Sequence, residues 1–217
     1  MKTRKSNIRY IGALVGHPRS GTSYFKRVVH FASAVSPTFT HAYGSIVGRW
    51  DQRQAYDERF VFEVNCPHKN VVLLERDARD ICVSGWFFIK YRLQAEDIGT
   101  EQEFVDRAMP FITNWQEGAR VFVPPERRIQ YTEMTEHQAV TRALAGMGAR
   151  ASNPESIQAA IDGLAFTKMQ RRDRAGGFTR GRSNHYEAAG NDDRALSFRA
   201  GKSGAWETFP ADFSRWS

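Results

Sequence analysis

The sequence predicts an α/β protein of three layers, with helices on both faces of a central, mainly parallel sheet and a P-loop-like strand–loop–helix near its start. Three observations carry this. Ile8 to Val15 is rich in apolar and β-branched residues, the pattern of a strand covered on both faces, and a glycine-bracketed loop and a helical pattern follow it directly. Val71-Val72-Leu73-Leu74 is wholly apolar, as a central parallel strand is, and leads into a charged turn and a second helical stretch. The remaining chain sets short strand patterns among amphipathic helical ones.

The first unit is Ile11 to Phe25. Gly16 ends the strand, and Pro18 to Gly21 cannot continue a ladder. Ser20 or Thr22 is placed to cap the following helix, whose buried face is expected to hold Phe25, Val28, Val29 and Ala32. Such a loop aims backbone N–H groups and the positive end of a helix dipole at one spot, which suits a phosphate. The loop falls one residue short of an ATPase loop, G-x-x-x-x-G-K-(S/T). In Gly16-His17-Pro18-Arg19-Ser20-Gly21-Thr22-Ser23 both glycines keep that spacing, Thr22 stands at the lysine position, and Arg19 is the loop's strong cation. The plain alternative is a strand-to-helix turn whose glycines serve geometry alone.

A chain of 217 residues with 41% hydrophobic content is expected to be one domain, 1–217, with a substantial core. The net charge of +7 and a pI of about 9.6 point to anionic partners: nucleic acid, an anionic membrane surface or a multiply phosphorylated small molecule. The arginines are spread along the chain, which argues against a dedicated nucleic-acid arm. Cys66 and Cys82 form no C-x-x-C pair, which reads as a reduced, intracellular and cytoplasmic protein. The basic stretch Met1 to Lys5 precedes a short apolar run that reads as a core strand rather than a signal peptide, and no segment has the length of a membrane span.

After the first helix, Ser36 to His41 reads as a short strand entering a loop at Tyr43 to Arg49, and Asp51 to Glu63 as a weakly amphipathic helix. Glu75 to Asp80 is the charged turn after the Val71 strand. Asp77 is placed to cap the next helix, with Asp80 in its first turn. Charges there sit where open α/β sheets bind ligands, or else form a solvated salt-bridge cluster. Phe104, Ala108, Phe111, Trp115 and Ala119 have helical spacing within Glu101 to Phe122, with Pro110 as a kink point, Trp115 as core and Pro124-Pro125 as the stop. Arg128 to Tyr131 reads as a short strand. Thr135 to Gln138 fits a capping box for a helix ended by Gly146 and Gly148, and Asn153-Pro154-Glu155 opens another. From Arg171 to Arg194 the composition turns to Arg, Gly, Asn and Asp, the signature of a long mobile loop. The segment Leu196 to Trp206 reads as a flexible basic tail or as a second anion clamp.

Three stretches in order, GHPRSGTSYF, LLERDARDICVSGWFF and FRAGKSGAW, resemble the sulfotransferase family that uses 3′-phosphoadenosine 5′-phosphosulfate (PAPS). The first is similar to that family's P-(K/R)-S-G-T-(T/S)-(W/Y) loop, the second to its R-(D/N)-(P/A)-(R/K)-D-x-x-x-S segment, and the third to its F-R-K-G-x-x-G-x-W segment. Ile129 to Met134 resembles the family's Y-E-D-(L/M) strand end, and Ala165 to Met169 its S-F-x-x-(L/M) segment. The likeness spans about residues 8 to 209. It implies that Arg19, Ser20, Gly21, Thr22 and Ser23 bind the 5′-phosphosulfate, with Tyr24 near the adenine and Tyr131 also at the cofactor. It implies that Arg76 and Ser84, with Arg199 and Gly201, grip the 3′-phosphate. The chain departs from the pattern at Ala200, where a second cation stands in the family, and at Ala205, where an Asp does.

The resemblance implies PAPS as sulfuryl donor, and no metal is expected because no acidic Mg²⁺ site stands out in the sequence. The acceptor is expected to be a small molecule, glycan or lipid, not nucleic acid. Transfer is in line, with Arg19 set to protonate or neutralise the leaving phosphate. The acceptor needs a general base, for which histidine is the usual choice near neutral pH. His41, after a strand pattern, is the candidate; His17 lies inside the loop and His68 before the Val71 strand. The alternatives are a P-loop nucleotide kinase or NTPase, against which the missing lysine argues, and a non-catalytic basic polyanion-binding protein. The acceptor pocket is expected in Ala42 to Asn65, Phe87 to Asp97 and Arg171 to Arg194. Phe87, Phe88 and Tyr91 suit an apolar wall there, though core packing accounts for them equally.

Overall fold

Four parallel strands form the sheet: β1 (Tyr10–Val15), β2 (Ser36–Thr40), β3 (Val71–Glu75) and β4 (Arg128–Gln130), in the spatial order β2-β1-β3-β4. The structure, a computed structural model, describes residues 10–33, 36–40, 70–175, 193–195 and 203–216. The expected loop at Tyr43 to Arg49 and helix at Asp51 to Glu63 lie outside those residues.

The chain leaves β1 for β2 on one side and returns to β3 on the other. The order of strands therefore reverses between β1 and β3, which opens a crevice at their carboxyl ends. Val15 pairs with Thr40 on one side and Leu73 on the other, and Glu75 with Gln130, so the strand ends share one edge.

Alternation along β1 and β3 assigns their side chains to two faces. Leu14, Val72 and Leu74, with Ile129, pack against α1 (Thr22–Ser33), α4 (His137–Gly146) and α5 (Pro154–Gly163). Ala13, Val15, Val71 and Leu73 pack against Trp115, Ala119 and Val123 at the end of α3 (Glu101–Phe122). These are the three expected layers. The α1 face buries Phe25, Val28, Val29 and Ala32, as its spacing requires. A third cluster joins α2 (Ala78–Phe87), the start of α3 and the C-terminal segment through Trp86, Phe104, Phe209 and Phe213. Among the described residues no helix is long and apolar enough to cross a membrane.

Several boundaries differ from expectation. No side chain caps α4: it begins at His137 with Glu136 at the cap position, so the box expected at Thr135 does not form. The box forms earlier, where Glu133 Oε2 accepts from the Gln130 N–H at 3.0 Å. Another, missed in the sequence, starts α3: Thr100 N–H donates to Glu103 Oε2 at 2.7 Å. The stretch read as a loop from Arg171 begins as helix, because α6 (Phe166–Arg174) continues far enough to bury Asp173 against Arg92 at 3.3 Å. At the far end of that stretch, Asp193–Ala195 forms a 3-10 turn held by Arg174, which donates to the Asp193 carboxylate at 2.7 and 3.0 Å.

Candidate functional site

The loop between β1 and α1 is built by close approach. A Cβ on Gly16 would run into Thr22 Cγ2 and lie 2.6 Å from Ser20 Oγ, so only glycine fits where the loop folds over itself. Ser20 sends its N–H (3.1 Å) and its hydroxyl (2.5 Å) to the His17 carbonyl. Its side chain therefore shapes the loop, and α1 opens on Thr22 directly. The His17 ring is buried edge-on against Trp115 at 5.3 Å, and its Nδ1 lies 2.9 Å from the Pro18 carbonyl. Nδ1 carries the proton, since that carbonyl can only accept. His17 is thereby a packed residue.

Arg19 and Gly21 both adopt the left-handed region, at φ +74° and +88°. Left-handed residues within a tight loop turn backbone N–H groups toward one concavity, and the positive end of the α1 dipole lies behind it. Such a loop suits an anion, and we call it the cradle. Arg19, as a non-glycine residue, holds this conformation at a cost of about 1–2 kcal/mol, a strain typical of functional positions.

Two arginines converge on the cradle. Arg76, first after β3, donates through Nη1 to the Arg19 carbonyl at 2.8 Å, and its guanidinium lies 4.1 Å above the Tyr131 ring. Gln116 of α3 fixes the Arg76 backbone by donating to its carbonyl at 2.6 Å. Arg19 donates from Nε to Ser84 Oγ on α2 at 3.1 Å and lies 4.7 Å over the Phe88 ring. Phe88 opens a π-helical turn, Phe88–Arg92, that continues α2. Such turns are rare and recur at functional sites. Tyr131 and Met134 close the cradle from the β4 side, 2.8–3.0 Å from where a Gly21 Cβ would stand. Tyr24 is buried beneath; burial, and then the neighbouring Tyr131, raise its pKa.

The charged turn is half of what a solvated cluster would be. Asp77 and Arg79 are partly exposed and paired at 2.7 Å, and Asp77 Oδ1 caps α2 by accepting from the Arg79 N–H at 2.8 Å. Asp80 is buried, and Arg76 beside it is half-buried.

Of the expected site residues, Arg19, Ser20, Gly21, Thr22, Ser23, Tyr24, Arg76, Ser84 and Tyr131 lie on the segments that meet at this edge. His41, Arg199 and Gly201 lie outside the described residues. Thr40, just before His41, pairs with Val15, just before the loop. Sequence reasoning missed Gln116 and Phe88 as supports of the two arginines. The four-residue spacing of Arg76 and Asp80 carried a signal for their pairing, whereas nothing marks Gln116 forty residues from its partner.

No protein-family model matches the chain, and no curated protein matches its sequence. Among solved structures it is similar to mouse sulfotransferase SULT7A1 complexed with PAP, with a TM-score of 0.53 and 16% identity over 92% of this chain and 77% of that one. The chain has a sulfotransferase-like fold. Two loop arginines and a helix N-terminus meet at the β1–β3 crevice, which makes it the candidate site.

Proposed function

We propose that the chain is a sulfotransferase that moves a sulfuryl group from PAPS to a hydroxyl or amine of an acceptor. One observation carries the reading: Arg19 bonds Ser84 while Arg76 bonds the Arg19 carbonyl, so the residues matched to the 5′ and 3′ phosphate subsites form one cluster. The residues present fit such a donor. The cradle suits a 5′-phosphosulfate, and Arg76, 4.1 Å over the Tyr131 ring, brings a guanidinium suited to a second phosphate to the same edge.

The bound donor supplies the activated sulfuryl group. The cradle N–H groups and Thr22 hold its 5′ end. As the bond between sulfur and the bridging oxygen breaks, Arg19 neutralises the charge left on the 5′-phosphate. His41 takes the proton of the acceptor hydroxyl or amine as its oxygen or nitrogen bonds to sulfur. The Val15–Thr40 register supports that assignment, since it brings the residue before His41 to the start of the loop. The acceptor, a small molecule, glycan or lipid, is expected beside the Phe88–Arg92 turn.

The test is transfer from radiolabelled PAPS to a panel of phenols, alcohols, amines and glycans. Transfer to one class, abolished in His41→Ala while binding of adenosine 3′,5′-bisphosphate persists, supports the reading. Retained turnover in His41→Ala refutes the base, and no transfer or bisphosphate binding by the parent chain refutes the activity.

A further inference from the structure

Asp80 has no exposed surface, and a carboxylate buried so completely is costly unless paired and hydrogen-bonded. It does not cap its own helix, a task Asp77 performs. Its oxygens serve a distant part of the chain: Oδ2 accepts from the Gly204 N–H at 2.9 Å and Oδ1 from the Ala205 N–H at 2.8 Å. Gly204 is left-handed at φ +81°, the conformation that lets two successive N–H groups address one carboxylate. Asp80 Oδ2 also lies 4.0 Å from Arg76 Nε. Beside this contact, Arg79 lies 3.7 Å over the Trp206 ring while its donors are held by Asp77. The first turn of α2 thus fastens residues 204–206 at two points.

We infer that Asp80 is a positioning residue that holds Arg76 and the segment beginning at Ser203 in one arrangement, and thereby sets how strongly the site grips a nucleotide 3′-phosphate. This rests on the proposed reading of the site. A carboxylate on one side of Arg76 keeps the guanidinium from turning into its own loop, and the two amides keep that carboxylate from turning toward Arg76 alone. Loss of its charge loosens the arginine and the segment together. The 5′ cradle, built from the loop after β1, meets Asp80 only indirectly, through the Arg76 bond to the Arg19 carbonyl.

The experiment compares adenosine 3′,5′-bisphosphate with adenosine 5′-monophosphate, which lacks only the 3′-phosphate. Calorimetry on the parent chain and Asp80→Asn gives the ratio of the two dissociation constants. The bisphosphate preference is expected to fall about tenfold, with monophosphate affinity falling much less. A merely structural role would weaken both ligands in parallel and leave the ratio intact, which overturns the inference. A parent-chain ratio near one overturns the functional reading itself, so the two failures are distinguishable. If Asp80→Asn does not fold, hydrogen exchange of the Gly204 and Ala205 amides in the parent chain decides. Slow exchange, slowed further by the bisphosphate but not by the monophosphate, supports the role, and equal exchange with both ligands overturns it.

Discussion

Arg76 Nη1 donates to the Arg19 carbonyl across 2.8 Å, tying the turn after β3 to the loop after β1 through a residue that is itself left-handed. The bond spans the crevice where the strand order reverses, and it makes the conformation of one loop depend on the side chain of the other. This dependence separates the site from two independent anion loops and yields the following expectations.

Arg19→Gly removes a left-handed side chain that costs about 1–2 kcal/mol. It also removes the bond to Ser84, worth about 1–2 kcal/mol, and the contact with Phe88, worth about 0.5–1 kcal/mol. These terms nearly cancel. Urea unfolding is expected to change by less than about 1 kcal/mol, while sulfuryl transfer falls about 10²–10³-fold for loss of a charge-stabilising donor. A large loss of stability would show that Arg19 is a structural residue.

Gly21→Ala is expected to destabilise by about 2–3 kcal/mol, combining the left-handed backbone with a clash against Met134 and Tyr131. The midpoint of urea unfolding checks it. An unchanged midpoint would mean that the loop does not close on the β4 side as described.

Most of the architecture was legible because the informative residues are local. The apolar runs of β1 and β3, the capping aspartate at Asp77 and the helical spacing of α3 each report their own element. The loop residues Gly16 to Ser23 were legible for the same reason. What escaped was long-range or competitive. The support of Arg76 by Gln116 and the fastening of Gly204 by Asp80 join residues 40 and 124 positions apart, which no spacing rule reaches. The box read at Thr135 forms five residues earlier, where Gln130 and Glu133 cap the 3-10 turn Tyr131–Glu133 instead of α4. Helix α6 outran its polar composition because one buried ion pair, Arg92 with Asp173, holds its last turn.

Burial works against ionisation of Asp77, but the hydrogen bonds from the Arg79 side chain and backbone prevail and hold its pKa below the usual carboxylate range. Because the folded value is depressed, its contribution is present above the unfolded value of about 3.9 and is lost as pH falls through the folded value. Asp77→Ala is therefore expected to cost about 1 kcal/mol at pH 7, as removal of a helix cap does. That deficit is expected to shrink toward zero in urea unfolding run at about pH 3 and below. A deficit independent of pH would assign the effect to packing.

The central claim is that the β1–β3 crevice is one two-phosphate site, and thermal unfolding with adenosine 3′,5′-bisphosphate, ATP and NAD in parallel tests it most directly. Ligand at about a hundred times its dissociation constant stabilises by about 2.7 kcal/mol, which for a chain of this size raises Tm by about 5–10 °C. That rise is expected with the bisphosphate, saturable and larger than with ATP or NAD; no rise with the bisphosphate, or a larger one with ATP, would rule out a two-phosphate site.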